Sequence, residues 1–175
     1  MTVKHRRAAS ATTTAGFPRR GHNHASCVDD AVAAADRVCA QNGTRLTELR
    51  RQVLELVWRS HEPVGAYAIL EHLAVDSGRR PAPPTVYRAL DFLLEQGLVH
   101  RIESRNAFFG CTRPGEKHLF EILLCTDCGR AAEVPGDRVT RAVKFSAAAL
   151  GFEVDRQTVE VMGRCRDCRG PAAQA

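Results

Sequence analysis

The stretch that decides the fold runs from residue 83 to residue 104 and reads PPTVYRALDFLLEQGLVHRIES. Pro83 and Pro84 suit the first turn of a helix, because that turn needs no backbone donor and proline presets its φ. Apolar residues then form the core side of the helix as far as Gly97, a residue type that commonly ends helices. A short apolar strand follows directly, so the stretch predicts a helix that leads into a strand.

The segments on either side extend this pattern. Apolar residues at helical spacing predict one helix from Val28, a second with Thr47 as its N-cap, and a third over 66–74. Strands are predicted over 98–102 and 107–111, joined by a short polar loop. Three or four helices followed by a β-hairpin is the element order of a winged helix.

Beyond a polar link at 112–117, the pattern changes to strand, strand, helix and strand. The predicted segments are strands at 119–124, 131–134 and 152–162, and a helix at 139–150. The fold class is therefore α+β, an N-terminal winged helix followed by a small α/β unit. The predicted organisation is a disordered basic tail at 1–25, the winged helix at 26–111, the α/β unit at 112–170 and a disordered tail at 171–175.

The formal net charge of +5 comes from the N-terminal tail. Residues 1–20 hold five Lys and Arg residues and no Asp or Glu, so the rest of the chain is electrically balanced. Overall charge therefore supports only non-specific attraction to nucleic acid. The sequence has no stretch of the ~20 apolar residues that a membrane helix needs and no apolar signal-peptide core. We expect a soluble, cytoplasmic protein with no membrane partner.

Two CxxC knuckles, Cys125-Thr-Asp-Cys128 and Cys165-Arg-Asp-Cys168, lie 36 residues apart. A knuckle places two thiolates on one tight turn, within reach of a tetrahedral Zn²⁺ whose Zn–S bonds are about 2.3 Å. Four thiolates leave no open position for chemistry, which indicates a structural site. A dithiol redox pair is the alternative, but two knuckles in a chain without an export signal favour zinc.

A second set of ligand types lies around the predicted junction between the two units. Its members are His100, Cys111, His118 and Glu133. Two imidazoles, a thiolate and a carboxylate form a borderline-soft set that suits Zn²⁺, and the two anionic ligands neutralise the ion. Spacing alone is equally consistent with roles unrelated to metal. His100 could be a surface residue, Cys111 a small buried apolar residue and Glu133 a solvated strand charge.

The first turns of the helix at 83–97 carry side chains suited to DNA. In helix-turn-helix proteins this end enters the major groove, where Arg88 can bond guanine and the hydroxyls of Thr85 and Tyr87 can bond phosphate or base edges. Tyr67 could reach the same groove. Phosphate contacts are expected from Arg79, Arg80, Arg101 and Arg105. The alternative is that Tyr87 packs, Arg88 is a solvated charge and the winged helix binds a protein.

Four motifs carry a resemblance to a known family. They are AYAILEHL at 66–73, PPTVYRALDFLLEQGLVHRIES at 83–104, CTDCG at 125–129 and CRDC at 165–168. In this order they resemble the zinc uptake regulator (Zur) branch of the ferric uptake regulator (Fur) family, over about residues 28–169. The His-His-Asp-His run of the iron and peroxide branches is absent, and Arg113-Pro-Gly-Glu-Lys-His118 stands in its place.

The resemblance implies a role for each group of residues. It makes Cys125, Cys128, Cys165 and Cys168 the structural zinc ligands, and His100, Cys111, His118 and Glu133 the sensory zinc ligands. It makes Tyr67 and Arg88 base-contacting residues and places Thr85 and Tyr87 on the recognition helix. It also implies that residues 112–170 form a dimerisation domain.

The implied function is repression of zinc-uptake genes in response to zinc. The protein would be a homodimer with two Zn²⁺ per protomer, would bind palindromic double-stranded operator DNA, and would have no small-molecule substrate. Two alternatives remain: a peroxide- or thiol-sensing regulator of the same fold, and a zinc-dependent enzyme, which would need an open ligand position. The tail motif containing His22, His24 and Cys27 has no assigned role, and an extra metal site is one possibility.

Overall fold

The computed structural model describes residues 16–17, 23–77 and 82–170. Its helices and strands, in chain order, are α1 (His24–Gln41), α2 (Glu48–Trp58), β1 (Val64–Gly65), α3 (Ala66–Ser77), α4 (Pro83–Glu95), β2 (Val99–Ile102), β3 (Ala107–Gly110), β4 (Phe120–Cys125), β5 (Ala131–Pro135), α5 (Asp137–Ala148), β6 (Glu160–Gly163) and α6 (Arg166–Arg169). A 3₁₀ turn, Glu103–Arg105, joins β2 to β3. No helix in the described ranges is long and apolar enough to cross a membrane.

The first helix begins earlier than the sequence analysis predicts. It starts at His24, four residues before Val28 and inside the tail predicted for residues 1–25. The cause is a local cap, because the Asn23 side chain accepts a hydrogen bond from the backbone N–H of Ala25 at 3.1 Å. Residues 1–15, 18–22 and 171–175, where the remaining tail predictions fall, lie outside the described residues.

The predicted winged helix is confirmed, with one strand more than predicted. In the described part of the chain, the sheet order is β1-β3-β2 and both pairings are antiparallel. The sequence analysis missed β1, because two residues are too few for a periodic pattern and only pairing with β3 defines the strand. At the tip of the wing, Asn106 adopts a left-handed conformation with φ 45°, which Asn tolerates better than most residues.

One apolar core joins the helices to the wing. The helix α4 contributes Val86, Ala89, Leu90, Phe92 and Leu93, and residues of α1, α2, α3, β2 and β3 belong to the same cluster. Since these buried positions recur at three- and four-residue spacing, the opposite face of α4 is left exposed.

The C-terminal unit, residues 120–169, has the sheet order β5-β4-β6. Strand β4 pairs antiparallel with β5 and parallel with β6. The predicted strand at 152–162 is wrong over most of its length, because the parallel ladder with β4 covers only 160–163. Helix α6 was also not predicted. The predicted boundary between residues 111 and 112 falls in the connection between β3 and β4.

The wing and the C-terminal unit are in direct contact. A small apolar cluster joins Ile102 and Phe109 of the wing to Ile122 and Leu124 of β4. The Glu160 carboxylate accepts hydrogen bonds from the backbone N–H groups of the first two residues of the wing-tip 3₁₀ turn, at 2.6 and 3.2 Å. These contacts fix the position of the wing relative to the second sheet.

Candidate metal centres and nucleic-acid interface

The mixed set of ligand types comes together at the junction of the two units. His100 lies on β2, Cys111 directly follows β3, His118 lies in the connection and Glu133 lies on β5. One ligand atom from each lies within 4.8 Å of all the others, and three of the four residues are buried. The fold therefore collects these donors from three separate parts of the chain.

The contacts among these side chains are short. His118 Nε2 lies 2.6 Å from Glu133 Oε1, His100 Nε2 lies 3.3 Å from Glu133 Oε2, and Cys111 Sγ lies 3.8 Å from His118 Nε2. His118 Nδ1 lies 2.8 Å from the Glu116 carbonyl oxygen. A ring N–H that donates to this carbonyl leaves Nε2 as the lone-pair nitrogen, which is the arrangement that a metal-binding histidine requires.

The electrostatics of this cluster fit a cation. Burial, with the nearby Glu133 charge, raises the pKa of the Cys111 thiol to about 12. Burial also acts to raise the pKa of Glu133, but contact with His100 and hydrogen bonds from Thr112 outweigh it and lower this pKa to about 2. The cluster therefore holds a buried carboxylate beside a thiol that stays protonated unless a cation is present.

One buried atom supports metal coordination directly. His100 Nε2 is inaccessible to solvent and makes no hydrogen bond to any described residue, although it lies near the Glu133 carboxylate. A buried ring nitrogen that makes no hydrogen bond is costly. A metal ion bound by His100, Cys111, His118 and Glu133 would satisfy this nitrogen and the other three donors.

The four cysteines of the two knuckles also come together. Cys125 ends β4, Cys128 lies on the following turn, and Cys165 and Cys168 lie at either end of the turn formed by α6. Their sulfur atoms all lie within 4.8 Å of one another. The Cys128 and Cys165 sulfurs are 3.8 Å apart, about the edge of a tetrahedron with Zn–S bonds of about 2.3 Å. The parallel pairing of Cys125 with Gly163 brings the knuckles together.

Arg130 lies against this cluster and was not identified from the sequence. Its Nε donates to Cys128 Sγ at 3.3 Å, and its Nη2 donates to Cys165 Sγ at 3.5 Å and to Asp167 at 2.7 Å. The hydrogen bond from Arg130 lowers the pKa of Cys128. The pKa of Cys125 falls to about 6, because backbone N–H groups outweigh the opposing effect of burial. The sequence signal that could have identified Arg130 is its position directly after the CxxCG motif.

The described side chains predicted to read DNA are exposed. Thr85, Tyr87 and Arg88 are exposed on α4, and Tyr67 on α3 has 69% of its surface exposed. Val86, between Thr85 and Tyr87, and Ala89, directly after Arg88, are buried and hold the helix to the core. Arg79 and Arg80, which are predicted to contact phosphate, lie outside the described residues.

The two wing arginines contact the protein itself. Arg105 donates to the Gly129 carbonyl oxygen of the C-terminal unit at 3.2 Å. Arg101 pairs with Glu103 at 3.2 Å and donates to Asn106 at 3.0 Å. Their predicted phosphate contacts would therefore compete with contacts inside the protein.

The tail motif does not form a third cluster in the described residues. His24 and Cys27 lie on α1, the His24 ring is 4.8 Å from the His61 ring, and Cys27 Sγ contacts the Asn23 carbonyl. Within the described ranges, the groups of three or more converging ligand side chains are the two already described. His22 lies outside those ranges.

Comparison with known proteins gives one consistent result. The sequence profile "Ferric uptake regulator family" matches residues 41–162. The zinc uptake regulation protein of Escherichia coli K12 is 37% identical over 144 residues, which cover 78% of this chain and 80% of that protein. The ferric uptake regulation protein of the same organism is 28% identical over 134 residues, which cover 73% of this chain and 86% of that protein.

Two solved structures are also similar to this chain. A zinc uptake regulator complexed with zinc and DNA is 36% identical with a TM-score of 0.75, covering 81% of this chain and 95% of that chain. The crystal structure of holo XcZur is 41% identical with a TM-score of 0.72, covering 81% of this chain and 98% of that chain. The chain therefore belongs to the ferric uptake regulator family, and it is more similar to these zinc regulators than to the ferric regulator of E. coli.

Proposed function

We propose that this protein is a zinc-responsive transcriptional repressor, not an enzyme. It binds palindromic operator DNA as a homodimer when the mixed-ligand site is filled, and it represses zinc-uptake genes. The observation that carries this proposal is the origin of the four ligands. Two come from the wing, one from the connection and one from β5, so a bound ion joins the DNA-binding unit to the C-terminal unit.

The two sites have different roles and together bind two Zn²⁺ per protomer. Cys125, Cys128, Cys165 and Cys168 hold a structural ion, because all four positions are filled by protein ligands from one unit. His100, Cys111, His118 and Glu133 hold the sensory ion. Zinc suits both sets, since thiolate and imidazole are the ligands that it prefers.

The sensory ion would act by fixing the orientation of the winged helix. The ion supplies positive charge that balances the Cys111 thiolate and the Glu133 carboxylate. Thr112 holds that carboxylate in place through two hydrogen bonds of 2.8 Å, and the Glu116 carbonyl orients the His118 ring. A shift from mostly open to mostly closed protein requires that the ion prefer the closed state by about 10⁴-fold.

An exposed apolar surface on the C-terminal unit supports dimerisation. Within α5, all of whose residues are described, Thr140 is the one buried residue. Exposed apolar side chains of α5, the following loop and β6 are Val139, Val143, Phe145, Leu150, Phe152, Val161 and Met162. A monomer rarely leaves so many large apolar groups in water. A two-fold dimer that covers this surface would present two recognition helices to successive major grooves.

In the DNA complex, α4 would lie in the major groove. Arg88 would read a base, Tyr67, Thr85 and Tyr87 would contact base edges or phosphate, and Arg79 and Arg80 would contact phosphate. Replacing Arg88 with Ala should cost about 1–3 kcal/mol on the operator and relax preference at one symmetric pair of positions. Replacing Arg79 or Arg80 should weaken binding to all sequences alike and reduce the salt dependence.

The test is a mobility-shift titration with operator and scrambled DNA across a zinc series and a salt series. Zinc should induce tight binding to the operator, and Arg88→Ala should lose affinity for the operator more than for scrambled DNA. Equal losses on both DNAs would remove Arg88 from base reading. Release from the operator by peroxide at constant zinc, with no response to zinc itself, would favour the thiol-sensing alternative instead.

A further inference from the structure

The single tryptophan of the chain packs directly against the residue that precedes a sensory ligand. Trp58 is the last residue of α2, and its indole ring lies over the backbone of Gly110 at the end of β3. A Cβ at Gly110 would lie 2.2 Å from Trp58 Cε2, 2.4 Å from Nε1 and 2.6 Å from Cζ2. The next residue is Cys111, so the ring lies one residue from the thiol of the mixed-ligand site.

The backbone of Gly110 does not itself require glycine. Gly110 is not among the glycines with positive φ, and it pairs with Val99 inside the wing sheet. Any residue type could adopt this extended conformation. The Trp58 ring is therefore what excludes a side chain at Gly110.

The position of Trp58 is set by packing. Its Nε1 is buried and makes no hydrogen bond to any described residue. The ring packs against the core cluster in which Leu54 and Val57 of α2 meet Leu90 and Leu93 of α4. Trp58 thus contacts Gly110, which directly precedes Cys111, and also packs against the core cluster that contains the buried residues of α4.

We infer that Trp58 is a positioning residue for Cys111, and that its contact with Gly110 couples the mixed-ligand site to α2 and the recognition helix α4. The inference builds on the sensory role proposed above for that site. It assigns to the indole ring the task of holding the Cys111 thiol where it meets His100, His118 and Glu133, so that ligand geometry and helix position change together.

The test combines a substitution that creates a clash with one that relieves it. Gly110→Ala places a methyl group inside the ring, whereas Trp58→Leu removes the three ring atoms that face Gly110. Gly65→Ala is the matched control, because Gly65 lies in the same sheet, has no positive φ and has nothing within 4 Å of an added Cβ. Zinc affinity of the mixed site is measured by chelator competition, with retention of the four-cysteine zinc and Tm as controls for folding.

Gly110→Ala should weaken zinc binding at the mixed site by about 10- to 100-fold while the four-cysteine zinc is retained. Gly65→Ala should bind as the unmodified protein does. Trp58→Leu alone should also weaken zinc binding at the mixed site, because it removes the ring that holds Cys111. The double variant Gly110→Ala with Trp58→Leu should lose less than the two single losses combined, because the leucine no longer meets the added methyl group. Unchanged affinity in Gly110→Ala or in Trp58→Leu, or two single losses that simply add in the double variant, would overturn the inference.

Two further measurements separate this inference from the sensory role. Filling the mixed site should change the emission of Trp58, and Cys111→Ser should abolish that change. In protein that carries only the four-cysteine zinc, alkylation of Cys111 followed by mass spectrometry reports its position without sensory zinc. Cys111 is 2% exposed, so it should react slowly in the unmodified protein and in Gly65→Ala, and faster in Gly110→Ala.

If the unmodified protein bound no second zinc, the proposed sensory role would be wrong. The alkylation rates of Cys111 would still test whether Trp58 positions this residue. Equal alkylation rates in all three proteins would contradict positioning by Trp58 even if zinc-dependent DNA binding were normal.

Discussion

The two candidate metal centres differ in where their ligands come from. The four cysteines all belong to the C-terminal unit, and the pairing of β4 with β6 brings their two knuckles together. The mixed ligands come from the wing, the connection and β5. An ion in the first site stabilises one unit, whereas an ion in the second links the wing to the C-terminal unit. The comparison teaches that the two sets of side chains are distributed differently over the fold, which is why we propose a structural role for the first and a regulatory role for the second.

The two sites also differ in net charge and in the charged residues beside them. Four thiolates around Zn²⁺ leave a net negative charge, and Arg130 donates to two of the sulfurs, while Arg164 lies at the neighbouring Asp127 at 2.7 Å. The mixed set carries one thiolate and one carboxylate, whose two negative charges would balance the charge of Zn²⁺. It therefore needs no nearby cation, and its neutral complex can be buried at the junction.

The largest effect should follow from breaking the four-cysteine site. Cys165→Ser removes a ligand from the closed set, and structural zinc sites supply about 10–16 kcal/mol of apparent binding free energy in small domains. We expect an unstable or monomeric protein that has lost zinc, measured by metal analysis, size-exclusion chromatography and thermal unfolding. Cys27→Ser is the matched control, since Cys27 lies outside both sites. A folded dimer with full zinc content would show that the assignment is wrong.

Breaking the mixed site should affect folding little but should abolish zinc-induced operator binding. Cys111→Ser exchanges a zinc-binding thiolate for a neutral hydroxyl of similar shape, so folding and the four-cysteine zinc should be retained. Zinc content should fall from two ions to one per chain, and zinc-induced operator binding should be lost in a mobility-shift titration. Normal zinc-induced binding by this variant would remove Cys111 from the sensory set.

Arg130 offers a way to weaken the four-cysteine site without removing a ligand. Arg130→Gln should accelerate zinc release to a strong chelator by about tenfold, because it removes charged donors to Cys128 and Cys165. Arg130→Lys keeps the charge and should restore part of the retention. The sensory site should be unaffected in both variants. Equal release rates in the unmodified protein and both variants would contradict a role for Arg130 in holding the sulfurs.

The smallest effect is expected at the contact between β6 and the wing tip. Glu160→Gln replaces a carboxylate that accepts two backbone N–H groups, at an expected loss of about 1 kcal/mol or less in the closed arrangement. Zinc affinity of the mixed site should fall slightly, while the four-cysteine site keeps its zinc. Zinc titration of Glu160→Gln and of the unmodified protein under identical salt conditions measures this difference. A larger loss at the four-cysteine site than at the mixed site would contradict the division of roles.

Sequence patterns identified the parts of this protein whose signals are local. The helix that begins at Pro83, the two wing strands and the two knuckles were predicted, since each depends on residues close together in the chain. Patterns failed where partners are distant. The two-residue strand β1 exists only through pairing with β3, and the predicted strand at 152–162 shortens to 160–163 because β4 offers it so few partners.

The sequence by itself determined the order of the main helices and strands, the amphipathic helix that begins at Pro83 and the two CxxC knuckles, because periodicity and short spacing act within one element. Only the tertiary structure decided that His100, Cys111, His118 and Glu133 converge, that Arg130 lies on the sulfurs and that Trp58 lies on Gly110. These contacts join residues from different elements. Their distances depend on how sheets and helices pack, and packing is a property of the whole chain that no local pattern records.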